Sequence, residues 1–206
     1  MFQAAEAKLY NKGEDLFNPR SSENDVFWIE KGLVGIYIGK EGDTLTPVNY
    51  KSTGDVTGYH SLFYLGANGC TGRAVIPTLV RALAKDAFLS QVTDSPQYRE
   101  TLFKLLSIEL RDYEARMKSL SQKSVRERVA ELLLYLGSKI GGMKDGKIEV
   151  PNLIRRKELA GFIGTSTEHL VRQLGELKDQ RLIQTEGQSI FLLDTTGLKT
   201  IAKHRD

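Results

Sequence analysis

Cysteine is all but missing from this chain. Cys70 stands alone among 206 residues, so no intramolecular disulfide can form and no iron–sulfur cluster can be held by cysteines. Histidine is scarce as well: only His60, His169 and His204 occur. A metal-dependent enzyme needs several imidazoles or carboxylates converging on one point, and of the three only His60 falls in the β-rich part of the sequence. No resident metal and no enzymatic activity are expected. There is no apolar run of about 18 residues, which a membrane-spanning helix would need, and no signal-peptide pattern at the start, so a cytoplasmic location is expected. A strong excess of one charge sign is absent too, with 29 basic against 26 acidic residues.

What charge there is lies unevenly. Residues 1 to 117 carry 13 basic and 15 acidic side chains, whereas residues 118 to 206 carry 16 and 11. A basic C-terminal half is the electrostatic footprint expected of a nucleic-acid-binding domain. The chain is long enough for two modest domains, each with its own core.

Residues 1 to 93 read as β structure. Short apolar or alternating runs at Val26–Ile29, Leu33–Ile38 and Leu45–Tyr50 are separated by Lys31-Gly32, by the glycine-bounded turn at residues 39 to 42, and by Ser52-Thr-Gly-Asp55. Regular short strands with glycine turns predict an antiparallel roll of jelly-roll type. Asp94-Ser95-Pro96 then starts a helix. From there Phe103, Leu106, Leu110, Tyr113, Met117 and Leu120 follow at alternating steps of three and four, an a/d seam of about 27 Å. Leu102, Leu105 and Ile108 add a second stripe suited to packing on the roll. An ordinary buried helix is the alternative to a two-chain seam, because fewer than three heptads are present. A domain hinge is placed near Ser119 to Ser124, between a helical segment at residues 94 to 122 and a C-terminal domain at 123 to 206.

The C-terminal domain is organised around Arg155 to Ile183. Leu159, Phe162 and Ile163 form the apolar stripe of a first short helix, with small Ala160 where a second helix can cross closely. Gly164-Thr165 breaks the chain, and Thr165 or Ser166 can cap a second helix, with Glu168 in its first turn. Leu170, Leu174 and Leu177 then repeat at helical spacing and point inward. Thr167, Glu168, Val171 and Arg172 are left on the outer face, the one that a helix-turn-helix offers to the DNA major groove. A generic helical hairpin is the competing interpretation, with Glu168 and Arg172 as a surface ion pair worth about 0.3 kcal/mol. Two short apolar runs around Glu186-Gly187, between Gln184 and Leu193, then predict a β-hairpin, the wing of a winged helix.

Together with Ser166-Thr-Glu-His-Leu-Val-Arg172, this segment resembles the DNA-binding domain of the Crp/Fnr family of bacterial transcription regulators. The resemblance extends to Asn11-Lys-Gly-Glu-Asp-Leu-Phe17, Phe27 to Tyr37 and Gly54-Asp55 with Gly58, which are similar to the family's cyclic-nucleotide-binding-type β-roll. It implies an α+β chain: an antiparallel β-roll sensor domain, a long dimerisation helix using the seam above, and a C-terminal winged helix-turn-helix. The implied function is that of a homodimeric, sequence-specific regulator binding an inverted repeat in double-stranded DNA, with RNA polymerase as a further partner.

By the same resemblance Glu168 and Arg172 take the family's two G·C-reading positions. Thr167 and Val171 take positions that vary among its members, and Thr167 stands where Crp-like proteins carry Arg. Arg155, Arg156, Lys157, Thr165, Ser166, His169 and Gln173 match positions that touch phosphates. The candidate effector pocket comprises Tyr59, His60, Ser61, Cys70, Thr71 and Arg73. Tyr59 replaces the Glu that receives the ribose, and Cys70-Thr71 falls on the Arg-Ser slot that receives the phosphate, which argues against cyclic AMP. The missing cysteines argue against an Fnr-type iron–sulfur cluster. His60 stands near the axial ligand of haem-binding relatives, though one His without a second ligand is weak support for haem. The effector therefore stays open. The other classes are a ligand- or haem-sensing dimer whose output is protein contact, and a cupin-like metalloenzyme, for which the histidines are too few.

Overall fold

A computed structural model describes residues 2, 5–21, 25–39, 45–62 and 69–203, apart from the side chains of His60 and Ser61. Residues 40 to 42 of the expected turn, and His204, lie outside the described residues. The chain divides into two compact units, Met1–Ala115 and Arg116–Asp206.

The first unit contains two four-stranded antiparallel sheets. One is ordered β1 (Glu6–Tyr10), β8 (Thr78–Leu83), β3 (Val26–Lys31), β6 (Val56–Thr57). The other is ordered β2 (Asp15–Phe17), β7 (Thr71–Ala74), β4 (Leu33–Ile38), β5 (Thr46–Ser52). The apolar run of β4 is central in its sheet and buried along almost its whole length. Phe17, Phe27, Ile29, Val34, Ile36 and Val80 meet in the interior, where Phe17 and Phe27 stack with ring centroids 6.0 Å apart. Gly32 joins β3 to β4 at φ +131°, and a Cβ there would lie 2.7 Å from the Thr78 Cα. Only glycine fits that junction.

Residues 85 to 93, expected as part of the β segment, instead belong to α1 (Lys85–Asp94). Phe88 and Val92, one helical turn apart, are buried against Val26, Tyr59, Leu62 and Leu102. The long helix α2 (Pro96–Gln122) follows, and the division between the units falls within it.

Its faces differ in part from the expected ones. Phe103, Leu110, Met117 and Leu120 are exposed, at 62%, 61%, 67% and 42%, and form an outward apolar stripe. Leu106 and Tyr113 of the same seam are half-buried, and Leu106 packs with Leu102 on the cluster around Tyr59. The second stripe is therefore 102-106-109 rather than 102-105-108. Ile108 points to solvent, because 100° per residue carries it well away from Leu102.

In the second unit, α3 (Val125–Ile140) buries Val129, Ala130, Leu132, Leu133 and Leu136. Ser124 caps it in a full capping box with Glu127, satisfying two amides that helix geometry leaves unpaired. A four-stranded antiparallel sheet is ordered β11 (Ile183–Glu186), β12 (Ser189–Leu192), β10 (Lys147–Val150), β9 (Gly142–Lys144). The predicted hairpin is β11–β12, turning at Glu186-Gly187. β9 and the closing helix α6 (Thr195–Ala202), capped by the Asp194 carboxylate, were not foreseen. Between the two hairpins lie α4 (Arg156–Phe162) and α5 (Thr167–Asp179).

The Lys203 ammonium beside Glu127, 2.7 Å away, and the Ser124 hydroxyl and amide lower the Glu127 pKa to about 2. A depressed carboxylate pKa stabilises the fold above the unfolded value of about 4.3, and this is lost as pH falls through the folded value. Glu127→Gln should therefore be less stable than the wild type to urea by a constant margin above about pH 5, and the margin should shrink as pH drops toward 2. Urea titrations of both proteins between those limits check this. A margin that does not change with pH would refute it.

Candidate nucleic-acid interface

The two helices of the central stretch form where the spacing of apolar residues predicts them. Leu159 and Ala160 of α4 are buried, as is Ile163 just beyond it. Phe162 is held between two partners: the Arg116 guanidinium lies over its ring at 3.7 Å, and Tyr135 of α3 stacks at 5.6 Å. Arg116 also donates to the Phe162 carbonyl, so the C-terminal part of α2 and the end of α4 are joined by a charged hydrogen bond and a cation–π contact.

Gly164 makes the turn at φ +64°, the left-handed region that glycine enters without steric cost. The Thr165 amide donates back to the Ala160 carbonyl at 3.0 Å. Ser166 then caps α5, its hydroxyl accepting from the His169 amide at 3.2 Å.

Leu170, Leu174 and Leu177 are the buried side of α5, with Leu170 and Leu177 completely enclosed. Each such leucine contributes about 1.5–3 kcal/mol through burial. The opposite side presents Glu168, Val171 and Arg172 to solvent, with Thr167 half-exposed beside them. Hydrogen bonds from its own amide and from Ser166 lower the Glu168 pKa, so it stands as a carboxylate at the start of the helix. Arg172 makes its ion pair onward, to Glu176 at 4.0 Å from Nε, and not backward to Glu168 as the hairpin alternative assumed.

Arg155, Lys157, Thr165, Ser166 and His169 are exposed or half-exposed around this face. One of the expected phosphate-contacting residues is placed otherwise, and a second is half-buried. Gln173 is 6% exposed, and its amide donates to Glu176 at 2.9 Å. It lies three residues after Leu170 and four before Leu177, which puts it on the buried stripe. Arg156 is turned toward a small recess lined by Leu136, Val150, Ile154, Leu159 and Ile190, where burial lowers its pKa.

The candidate effector residues of the first unit meet a residue that the sequence reading missed. Glu109 of α2 is 6% exposed. Its carboxylate lies 2.8 Å from the Lys51 ammonium and accepts from the Tyr59 hydroxyl, with the Asn49 amide at 3.5 Å. Lys51 and Asn49 are two apart on β5 and so share one face. Tyr59 is buried, and both its burial and the Glu109 charge raise its pKa and keep it a phenol. Cys70 is half-buried; burial and the same carboxylate raise its pKa, disfavouring the reactive thiolate. Thr71 is buried beside it in the sequence.

Arg73, expected to be able to enter the pocket, is instead engaged with Asp15 through two bonds of 2.6 and 3.2 Å across the β2–β7 pair. The side chains of His60 and Ser61 lie outside the described residues, though their backbone forms a short 3-10 turn. The sign of Glu109 was legible, since it interrupts the stripe of Leu102, Leu106 and Tyr113 with a charge.

A paired exposed helix, a buried supporting helix and an adjoining β-hairpin are the architecture of a DNA-binding winged helix-turn-helix. Residues 127–201 match the family model for the Crp-like helix-turn-helix domain. The chain is 25% identical over 201 residues to the transcriptional activator protein FnrA of Stutzerimonas stutzeri, covering 93% of this chain and 78% of that one. It is 30% identical over 151 residues to the CRP-like cAMP-activated global transcriptional regulator of Mycobacterium tuberculosis, covering 72% and 66%. In fold it is similar to FixK2 from Bradyrhizobium japonicum, with a TM-score of 0.87 and 22% identity over 98% of this chain and all of that one. The chain belongs to the Crp/Fnr family of transcription regulators. The α+β architecture of antiparallel sheets, a long helix and a C-terminal helix-turn-helix is the one expected. Among the described residues no helix is long and apolar enough to cross a membrane.

Lys51→Met removes the ionic partner of a buried carboxylate, which should cost about 3 kcal/mol of stability. Lys51→Met with Glu109→Met removes both charges and should recover most of that loss. Denaturant unfolding of the three proteins measures it; a loss below about 0.5 kcal/mol for the single variant would mean that the pair behaves like a solvated surface contact.

Proposed function

We propose that this regulator binds an inverted repeat as a homodimer, each α5 reading one half-site in the major groove. The observation that carries the proposal is the open face of α5, where Glu168, Val171 and Arg172 are exposed while Leu170, Leu174 and Leu177 are buried. Arg172 donates two bonds to guanine O6 and N7, and Glu168 accepts from a cytosine N4 amine on the other strand. Val171 meets a thymine methyl, and Thr167 makes a contact that varies with the base. Arg155, Lys157, Thr165, Ser166 and His169 contact phosphates, setting affinity and its salt dependence without reading sequence. A two-fold axis would place the half-sites about one helical turn apart.

The dimer forms through the outward stripe of Phe103, Leu110, Met117 and Leu120 on α2. Residues 1–93 serve as the sensor domain, 94–122 as the dimerisation helix and hinge, and 123–206 as the DNA-binding domain, working in the cytoplasm with RNA polymerase as partner. Cyclic AMP does not suit the sensor domain. A phosphodiester brought to Tyr59 and Cys70 would have to compete with the Glu109 carboxylate for the Lys51 ammonium that it already holds at 2.8 Å.

Selection from random duplex DNA at physiological salt should enrich a palindrome with TG-containing arms. In competition binding, Arg172→Ala should remove the preference for the G·C pair, a loss of about 1–3 kcal/mol in discrimination. Lys157→Ala should weaken binding to every duplex about equally. Uniform loss for Arg172→Ala would sink the assignment. Leu110→Glu with Met117→Glu should shift the protein from dimer to monomer in sedimentation; a dimer unaffected by both changes would place the interface elsewhere.

A further inference from the structure

We propose that Glu176 is a positioning residue for base reading: it holds Arg172 by Nε so that the two terminal nitrogens face the guanine. This rests on Arg172 being the guanine reader. The two oxygens of the Glu176 carboxylate have separate tasks. Oε2 accepts from the Gln173 amide at 2.9 Å and lies 3.5 Å from the Arg126 guanidinium of α3. Oε1 faces Arg172 Nε at 4.0 Å.

The last contact alone would count for little. Both side chains are largely solvated, and an Arg placed four residues before a Glu is the weaker order for a helical pair. What gives it consequence is the anchoring of the carboxylate itself. Gln173 is nearly enclosed, so its amide is not free to wander. Arg126 is in turn tied at its other end to the Gln180 side chain, one residue beyond α5. Glu176 therefore bridges the recognition helix and α3, and Arg172 Nε faces a carboxylate that two other side chains already engage.

A guanidinium carries five donors in a planar fork. A carboxylate on the Nε side leaves the two terminal amino groups, the pair that fits O6 and N7 of guanine. Ordering this long side chain beforehand removes part of the rotamer entropy otherwise lost on binding, and it penalises bases that would need another pose. The expected signature is loss of discrimination and not of affinity in general. Truncating Glu176 also removes a negative charge near the phosphates, which by itself raises affinity for every duplex alike.

The experiment measures Kd at one salt concentration for two duplexes: the selected palindrome, and the same duplex with the guanine opposite Arg172 replaced by adenine in both half-sites. Wild type, Glu176→Ala, Glu176→Gln, Arg172→Ala and Arg172→Ala/Glu176→Ala are compared. Glu176→Gln keeps the size and a hydrogen-bonding oxygen for Gln173 while losing the charge, so it remains informative should the alanine variant fold poorly. The Glu176 variants should lower the ratio of the two Kd values about fivefold, the scale of coupling between side chains in one hydrogen-bonded network. In the Arg172→Ala background the same change should leave the ratio where it is.

An unaltered ratio with both Kd values shifted equally would overturn the positioning role and leave the Arg172 assignment standing. A wild-type ratio retained by Arg172→Ala would overturn the assignment and the positioning role with it. A further fall in the ratio in the Arg172→Ala background would show that Glu176 acts through some other group.

Discussion

The burial of Leu170, Leu174 and Leu177 beneath α5 is the contact on which the presentation of this interface depends. A helix that offers four side chains to a ligand cannot be held by those same side chains, so its stability must come from the opposite face. The neighbouring parts of the unit contribute to that end. Gly164 turns the chain between α4 and α5, and Ser166 closes the exposed first turn. The apolar face of α3 and the helix α6 supply the remaining core. The charge network of Arg126, Gln173 and Glu176 adds direction to what the leucines supply as adhesion.

In the first unit a polar cluster lies within an otherwise apolar interior. Glu109, Lys51 and Tyr59 satisfy one another inside it. Burying two charges costs several kcal/mol each before their attraction is counted. Such a pair lends specificity of arrangement more than raw stability: α2 can seat on the roll only where its carboxylate reaches the ammonium and the phenol. The roll and its helix thus share one register.

The helix-turn-helix was legible in the sequence because its determinants are local. A period of 3.6, a glycine at the turn and a hydroxyl at the cap all fall within some thirty residues. Strands β3, β4 and β5 were legible for the same reason, as was the wing around Gly187. Helix α1 was not, since its buried anchors Phe88 and Val92 gain their burial from residues of other elements, Val26 among them, which is remote in the chain. Glu109 escaped because its partners, at positions 51 and 59, are set by topology. Gln173 was placed on the wrong side because polarity was weighed above its spacing from Leu170 and Leu177.

The ion pair between Lys51 and Glu109 also shapes how this chain can change. Either residue exchanged alone for a neutral one takes the ionic partner from a buried charge, so single replacements at these two positions are destabilised. Any route to a roll with different interior chemistry runs through paired replacements. A library meant to give this chain a new small-molecule specificity would best randomise positions 51 and 109 together, since clones altered at only one would start with about 3 kcal/mol less stability.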